Sequence, residues 1–178
     1  MYRILLVPIG SIDSAVLQWL SVALQDSLRL PCSIASERID PADTFQPARQ
    51  QYYSTQILSR LAAFPEGDST KILGVAAVDL FIPILTFVFG EAQLGKRAAL
   101  ISTHRLHQSF YGLPADEKLF YERVEKEAIH ELGHAFGLIH CGLWECVMHF
   151  SNSIEHVDLK SNSFCHQCAA SIPSATLP

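Results

Sequence analysis

Three histidines and two cysteines lie within one short run of the sequence, HELGHAFGLIHCGLWECVM, which spans residues 130–148. All five side chains are of types that bind zinc, whereas a zinc ion usually takes four ligands. The run is therefore either one site with surplus ligands or parts of two sites with different roles. The spacing of these residues, and of two further cysteines downstream, favours two sites.

The histidines have the spacing of a catalytic zinc site. His130 and His134 are four residues apart at the end of a segment with a helical pattern, so their imidazoles should share one helix face. Glu131 should project beside the metal, where it can take a proton from water on the zinc. Gly137 can adopt positive φ and turn the chain, which would bring His140 back as a third ligand. Three nitrogen ligands leave one position open for water.

Chance is the alternative explanation of these histidines. HExxH alone does arise by chance on helix surfaces, and it carries little weight. The full HExxHxxGxxH pattern, with a glycine where the turn is needed, is much more specific. We therefore favour a catalytic metal site over histidines that happen to fall at helical spacing.

Four of the five cysteines lie near the end of the chain in two pairs. Two separated pairs are typical of a closed zinc site with four thiolate ligands, which has a structural role. A redox-active CxxC and two disulfides are the alternatives. A redox CxxC normally opens a helix after a strand in a thioredoxin-like unit, and no such pattern surrounds this one. We favour structural zinc, with the pairs Cys141 and Cys146, and Cys165 and Cys168.

The hydrophobic pattern predicts the elements that position these residues. We expect strands at YRILLVPIG (2–10), CSIASERI (32–39), KILGVAAVDL (71–80) and RAALISTHRL (97–106). FVFGEAQLG (87–95) should form a glycine-interrupted strand or a hairpin. Helices are expected over residues 11–28, 47–64 and 115–138. Ser11 and Asp13 are the candidate N-caps of the first helix. The order β-α-β-α-β-β-β-α predicts an α/β fold with a mixed, mostly parallel sheet. The residues after Gly137 show no strong helix or strand pattern. We therefore expect the cysteines to stabilise this irregular tail by binding a metal ion.

The composition excludes several classes of protein. Hydrophobic residues make up 49% and charged residues 17%, and the net charge is −5 with the 13 Lys and Arg residues scattered, so we expect no nucleic-acid binding. The apolar run 75–89 is too short to span a bilayer and contains Asp79 and Pro83, so we expect no membrane span. The first apolar run is broken by Pro8 and Gly10, which favours a buried strand over a signal peptide. We expect a cytoplasmic monomer.

The combined motifs resemble the archaemetzincins, a branch of the metzincin metalloproteases. HELGHAFGLIHC is followed by four residues, then CVM and a spaced CxxC, and the similarity extends to VDLFIPILTFVFGEAQLGKRAALIS and FSNS, so that it covers nearly the whole chain. The resemblance implies one zincin-like domain over 1–178, divided into an α/β part (1–139) with the active-site helix and a C-terminal part (140–178) with the Met-turn and the cysteine site. It implies two zinc ions per chain. The catalytic ion would bind His130, His134 and His140, with Glu131 as general base and Met148 in the Met-turn beneath it. The structural ion would bind Cys141, Cys146, Cys165 and Cys168.

By the same resemblance, FVFGEA (87–92) should be the edge strand of a cleft in which an extended peptide or protein substrate pairs with the main chain. One departure is that many metzincins place a tyrosine just after the Met-turn, whereas HFSNSIEH follows Met148 here and no tyrosine occurs later. We therefore expect a zinc metallopeptidase. The alternatives are a non-proteolytic zinc protein that binds peptides or partners, and a hydrolase of a non-peptide amide or ester. Glu131 favours catalysis, because a binding module does not need it.

Overall fold

A computed structural model of the chain describes residues 2–172. Residue 1 and residues 173–178, which the expected single domain includes, lie outside the described residues. In chain order the elements are β1 (Arg3–Ile9), α1 (Ser14–Leu28), β2 (Cys32–Ile34), β3 (Phe45–Gln46), β4 (Gln51–Tyr53), α2 (Ser54–Ala62), β5 (Thr70–Ala76), β6 (Leu80–Phe81), β7 (Gly90–Ala92), β8 (Ala98–Ser102), α3 (Glu117–Ala135), α4 (Ile154–Leu159) and α5 (His166–Ser171), with short 3-10 helices at Ala42–Thr44, His104–Leu106 and Gln108–Tyr111.

The main sheet has five strands in the order β2-β1-β5-β8-β7. β2, β1, β5 and β8 run parallel to one another, whereas β7 runs antiparallel to β8 with Glu91 opposite Leu100. Every residue of β5 is buried, as expected of a central parallel strand covered by helices on both faces. The predicted α/β fold with a mixed, mostly parallel sheet is confirmed.

Helices cover the two faces of this sheet. Ile4 and Leu6 of β1 belong to the core beneath α1 and α3, whereas Leu5 and Val7 belong to the core beneath α2. This division follows from the strand geometry, because successive side chains point to opposite faces. The histidine-bearing helix α3 thus lies against one face of the sheet and is held there by apolar packing.

Both long helices begin at aspartate caps. Asp13 accepts a hydrogen bond from the N–H of Ala15 at 2.9 Å, so it is the cap of α1, and Ser11 is not. Asp116 accepts a hydrogen bond from the N–H of Leu119 at 2.9 Å and starts α3. The predicted helix over 115–138 is therefore correct in place and slightly long at both ends.

The expected helix over 47–64 is wrong in its first part. Residues 47–50 instead form a turn and Gln51–Tyr53 form β4, and α2 begins only at Ser54. β3 and β4 join β6 in a second, three-stranded sheet, where the N–H of Tyr52 donates to the carbonyl of Asp79 at 2.8 Å. The expected strand 71–80 accordingly divides into β5 and β6. The segment 87–95 contains one strand, β7, which forms a hairpin with β8 in the next expected strand.

The segment after Gly137 is less irregular than expected, because it contains α4 and α5. Each has six residues, which is too short to produce a clear helical period in the sequence. The four cysteines lie around these helices and the turn that precedes them. Within residues 2–172, no helix is both long and apolar enough to cross a lipid bilayer.

Candidate active site

Three histidine side chains converge beside the end of α3. His130 and His134 lie on its last turns, and His140 follows after the chain has turned at Gly137, where φ is +102°. One ring nitrogen of each histidine lies within 4.8 Å of a ring nitrogen of each of the other two. The structure thus brings together the three residues that the sequence predicts as ligands of one metal ion.

The hydrogen bonds of two histidines fix which ring nitrogen faces the cluster. Nδ1 of His130 lies 2.8 Å from the carbonyl oxygen of Val147, and Nδ1 of His134 lies 2.7 Å from that of Leu138. A carbonyl can only accept, so each Nδ1 carries the proton and donates it. The two Nε2 lone pairs then face one another at 3.2 Å. Lone pairs at this distance repel unless a cation lies between them, which fits a zinc site.

Burial keeps these imidazoles neutral. Desolvation is the largest cause that lowers the pKa of His130, His134 and His140, and for His130 the pKa falls well below its ordinary value. The positive charge of Lys160 lowers the pKa of all three further. Since zinc binds neutral imidazole, the site is already in the form that takes up metal near neutral pH.

Glu131 lines the same cavity as the histidines. Its side chain is only 6% exposed, and among residues 2–172 no group donates a hydrogen bond to its carboxylate. Burial, followed by the negative charge of Glu127, raises the pKa of this carboxyl well above its ordinary value. A carboxylate in this setting has a strong affinity for a proton and a free oxygen with which to accept it.

Met148 lies against α3 at Gly133. It is fully buried, and a β-carbon added to Gly133 would come within 2.4 Å of its Sδ and 3.2 Å of the Phe164 ring. Gly133 lies between the two helical histidines in the chain, so the absence of a side chain there lets the Met-turn approach the helix directly. The carbonyl that orients His130 belongs to Val147, the residue before this methionine.

The four cysteines predicted as the second site form one cluster. Their sulfur atoms all lie within 4.8 Å of one another, and all four thiols are free rather than disulfide-bonded. The N–H of Cys165 donates to Sγ of Cys146 at 3.3 Å. A hydrogen bond from the backbone of Cys168 lowers the pKa of the Cys165 thiol to about 7. Four converging sulfurs fit a closed zinc site, and the disulfide alternative does not fit free thiols.

The histidine and cysteine clusters share a short piece of backbone. The N–H of Cys141 donates to the carbonyl of Met148 at 2.9 Å, and Nδ1–H of His149 donates to the carbonyl of Cys141 at 3.0 Å. Cys141 is also bonded covalently to His140. The segment that carries the third histidine is therefore anchored by a member of the cysteine cluster.

The cleft in front of the histidines has a volume of about 470 Å³. β7, the last strand of the main sheet, lines it along one side. Of the expected edge strand 87–92, only Gly90–Ala92 belong to β7, and residues 87–89 line the cleft outside it. Glu91 in this strand is held by the hydroxyls of Ser54 at 2.5 Å and Thr55 at 2.8 Å, so α2 braces the strand from the far face of the sheet. Within the described residues, β7 is the last strand of the sheet and pairs with β8 alone.

Phe150 is the aromatic residue nearest the histidines after the Met-turn. Its ring lies edge-on to that of His140, with 5.1 Å between centroids, and it lines the cleft. It has no hydroxyl group, so it cannot supply the hydrogen bond that a tyrosine would. Ser151 and Asn152, the next two residues, supply polar atoms to the same cavity.

Sequence reasoning missed the residues that lie deepest beside Glu131. Glu127 precedes Glu131 by one helical turn, lines the cleft, and lies 2.8 Å from the ammonium of Lys160. In the sequence Glu127 is one of several charges on a helix, and Lys160 is one lysine in a polar tail. The four-residue spacing of Glu127 and Glu131 predicts that they share one face of the helix, but nothing in the neighbouring sequence indicates that Glu127 is buried.

Comparison with known proteins agrees with this geometry. Residues 14–174 match the model of peptidase family M54. Over 172 residues the chain is 44% identical to the archaemetzincin of Pyrococcus furiosus, covering 93% of this chain and 89% of that protein. Over 166 residues it is 41% identical to the archaemetzincin of Methanocaldococcus jannaschii, covering 93% and 90%.

Solved structures show the same likeness. The archaemetzincin of Archaeoglobus fulgidus, crystallised with malonate, superposes with a TM-score of 0.82 at 36% identity, covering 96% of this chain and 100% of that one. A zinc-dependent peptidase of Methanocorpusculum labreanum superposes at 0.86 with 31% identity and the same coverage. Fold and site thus define a zinc metallopeptidase. The chain belongs to peptidase family M54, the family of the archaemetzincins.

Proposed function

We propose that this metallopeptidase hydrolyses peptide bonds at the histidine cluster, with His130, His134 and His140 as the zinc ligands and Glu131 as the general base. One observation carries the proposal. Two Nε2 lone pairs converge at 3.2 Å because their Nδ1 protons are bound to carbonyls, and the carboxylate of Glu131 lines the same cavity. A metal-binding group and a proton acceptor therefore meet at one point.

The chemistry divides between the metal and the chain. Zinc bound by three histidines supplies Lewis acidity, which activates water and polarises a carbonyl. Glu131 accepts the proton of the attacking water on a carboxylate oxygen and then passes it to the nitrogen of the leaving amine. Its burial supports this role, because the raised pKa strengthens the carboxylate as a base.

The two remaining parts of the site hold this geometry in place. We propose that a second zinc ion binds Cys141, Cys146, Cys165 and Cys168 and is structural, because four thiolates leave no position for substrate. Met148 supports the histidines from below by filling the space beside Gly133. The count of two zinc ions per chain follows from the two separate clusters.

We propose that the substrate is an extended peptide that adds to the outer edge of β7. An edge strand offers a row of unpaired N–H and C=O groups, which can pair with a peptide main chain. β7 lines the cleft at Gly90, Glu91 and Ala92, beside Glu131. A peptide paired there would present its carbonyl groups to the histidine cluster.

The substitution Glu131→Gln tests the role of the base. We expect the variant to keep both metals and to lose cleavage of an unbiased peptide library, because the amide cannot accept the proton. Glu122→Gln is the matched control: it makes the same change on α3 at a side chain that is 47% exposed, and it should cleave like the wild type. Cleavage by Glu131→Gln at the wild-type rate would contradict the proposal.

Elemental analysis tests the two sites. We expect two zinc ions per chain before mild chelation and one afterwards, because the histidine site is open to solvent while the cysteine site is closed. One zinc ion per chain in the freshly purified protein would contradict the two-site proposal.

A further inference from the structure

The cleft continues past the histidines to a set of polar residues that the hydrolytic step does not use. We call Glu127, Ser151 and Asn152 the polar floor; all three line the same cavity as His130 and Glu131. Glu127 and Glu131 are four residues apart on α3, so their carboxylates lie on one face of the helix. The floor is thus continuous with the reaction site and beside it.

Glu127 is a buried carboxylate with a single counter-ion. The residue is 3% exposed, and its Oε1 lies 2.8 Å from Nζ of Lys160, whose side chain is 0% exposed. This is the distance of a charge-assisted hydrogen bond, so the ammonium of Lys160 satisfies Oε1 of Glu127. Lys160 does not line the cavity and approaches Glu127 from behind. The ion pair takes up Oε1, whereas Oε2 accepts no hydrogen bond from residues 2–172 and remains for a ligand in the cavity that Glu127 lines.

The segment that carries Lys160 is clamped to α3. Arg123 makes a two-pronged contact with the carboxylate of Asp158, at 2.7 Å from both of its donating nitrogens. Lys126 donates to the carbonyls of Val157 at 3.3 Å and Asp158 at 3.1 Å. Two adjacent turns of α3 therefore hold the end of α4, and they fix where the ammonium meets Glu127.

A second polar atom of the floor also lacks a partner. Oγ of Ser151 is buried and makes no hydrogen bond within residues 2–172. Buried polar atoms without partners are unfavourable, so a ligand that hydrogen-bonds to them gains affinity. Glu127 can only accept a hydrogen bond, so the group that suits the floor is a donor.

The charges of the cavity favour the same kind of group. Glu127 and Glu131 both line it, and its lining within the described chain contains no lysine or arginine. At the floor, on the side of Glu127 and away from the histidines, a substrate carboxylate would meet like charge. Away from the floor the walls are apolar and include Ile82, Leu85, Phe87, Leu94 and Ile139.

We propose that the polar floor is a specificity pocket for a substrate side chain that has a long apolar stem and a hydrogen-bond-donating end, as in arginine, lysine or glutamine. Glu127 is the specificity-determining acceptor, and Lys160 is the positioning residue that orients it. The inference rests on the proposed peptidase function, because it assumes that the occupant of the cleft is a peptide.

Binding to a hydrolysis-deficient protein tests the pocket independently of turnover. The wild type first identifies the cleaved bond in a peptide library. Zinc-loaded Glu131→Gln protein is then titrated with labelled peptides that differ at one position beside that bond, with arginine, glutamine, methionine or glutamate there. Fluorescence anisotropy measures the affinity of each peptide. For one of the positions beside the bond, we expect the peptide with arginine or glutamine to bind at least 10-fold more tightly than the peptide with methionine, and the peptide with glutamate to bind most weakly.

The double substitution Glu127→Leu/Lys160→Met identifies the residues responsible. It removes both charges together, because either charge left alone would be buried without a partner. We expect the methionine peptide to bind better than the arginine peptide, with zinc content unchanged. An unchanged arginine-to-methionine ratio in this folded, zinc-loaded variant would overturn the proposal.

Ser151→Ala keeps the test decisive should the double variant not fold. We expect it to reduce the arginine-to-methionine ratio at least threefold, and an unchanged ratio would also overturn the proposal. Failure of the peptidase function has a different signature: the wild type would cleave no peptide in the library. Cleavage without any side-chain preference at the positions beside the bond would remove only the specificity pocket.

Discussion

Glu131 packs against Gly90 of β7 so closely that the strand has no space for a side chain at this position. A β-carbon on Gly90 would lie 2.6 Å from Cγ of Glu131 and 2.7 Å from the carbonyl oxygen of Leu100. The second contact is to backbone inside the sheet, which cannot move without breaking the pairing of β7 with β8. The glycine therefore sets the distance between the edge strand and the proposed base.

Gly90→Ala should displace either Glu131 or the edge strand. We expect kcat to fall by about 100-fold, since a misplacement of about 1 Å at a reacting group has an effect of this size. Zinc content should be unchanged, because the histidines do not contact this glycine. Peptide cleavage and elemental analysis on the same preparation provide the two measurements.

Gly142→Ala is the control for the glycine substitution. A β-carbon there meets no atom within 4 Å, so this variant should cleave like the wild type. Gly90→Ala with unchanged kcat would mean that the strand and the glutamate can separate at no cost to the reaction.

The histidine cluster should make the zinc-depleted protein sensitive to acid. In the folded chain burial lowers the pKa of His130, His134 and His140 below the ordinary value of 6.5, so the unfolded chain binds more protons as the pH falls through 6.5. Stability is therefore lost on acidification. We expect the urea midpoint of Glu131→Gln protein, stripped of its histidine-bound metal by mild chelation, to fall between pH 7.5 and pH 5.8.

The same titration in the wild type should show a smaller fall. The pKa of Glu131 is raised above its ordinary value of 4.5, so the folded chain gains a proton on acidification before the unfolded chain does. Protonation of Glu131 therefore stabilises the folded state as the pH decreases, which opposes the loss of stability that the histidines cause. A midpoint in the Glu131→Gln protein that does not fall over this range would show that the histidines are not desolvated.

Periodicity and motif spacing account for the parts of the fold that are governed locally. α1 and α3 were predictable because apolar residues recur at helical spacing between an aspartate cap and a terminator, and β5 because its apolar run is continuous. The sequence predicts helix at Gln51–Tyr53, which is strand β4, because the strand character of these residues depends on pairing with β6, about thirty residues away. Such pairing leaves no periodic signal in a segment of two or three residues.

The same distinction separates the predictable from the unpredictable parts of the site. The histidines and Glu131 lie within one run whose spacing reflects one helix and one turn, so their convergence could be inferred. Glu127 and Lys160 are 33 residues apart, and each resembles an ordinary surface charge in its own segment. Their burial arises only when α4 docks on α3, which is a tertiary event.

Lys160→Met should strongly destabilise the protein, because it leaves the carboxylate of Glu127 buried without its counter-ion. Removal of one partner from a buried pair costs about 3–5 kcal/mol, whereas replacement of both by apolar residues is often neutral. We expect the free energy of unfolding to fall by an amount of this order in Lys160→Met and to recover most of it in Glu127→Leu/Lys160→Met. Urea denaturation of both variants measures the difference.

An exposed ion pair on the same helix is the control for this buried pair. Lys118 lies 3.8 Å from Glu122 at the start of α3, with its side chain 89% exposed. Lys118→Met should change the free energy of unfolding by less than about 1 kcal/mol, as is typical of surface pairs. Equal losses in Lys160→Met and in the double variant would show that the pair contributes through packing and not through charge.

The two metal clusters should be coupled through the backbone of Cys141. Its N–H is bound to the carbonyl of Met148 and its carbonyl to Nδ1–H of His149, and it follows His140 directly. Cys165→Ser weakens the cysteine cluster without touching the histidines. We expect the affinity of the histidine site for zinc to fall by about 10- to 100-fold, the range typical of changes outside the ligand set.

Competition with a chromophoric zinc chelator measures this affinity in the variant and in the wild type. Cys32→Ser is the matched control, because Cys32 is a free thiol outside the cluster and should leave the affinity of the histidine site unchanged. The reasoning depends on the rigidity of the 141–149 turn: a loose turn would let His140 leave the metal while the other two histidines, fixed on α3, remained. Equal affinities in Cys165→Ser and in the wild type would mean that α3 and the Met-turn hold His140 in place without the cysteine site.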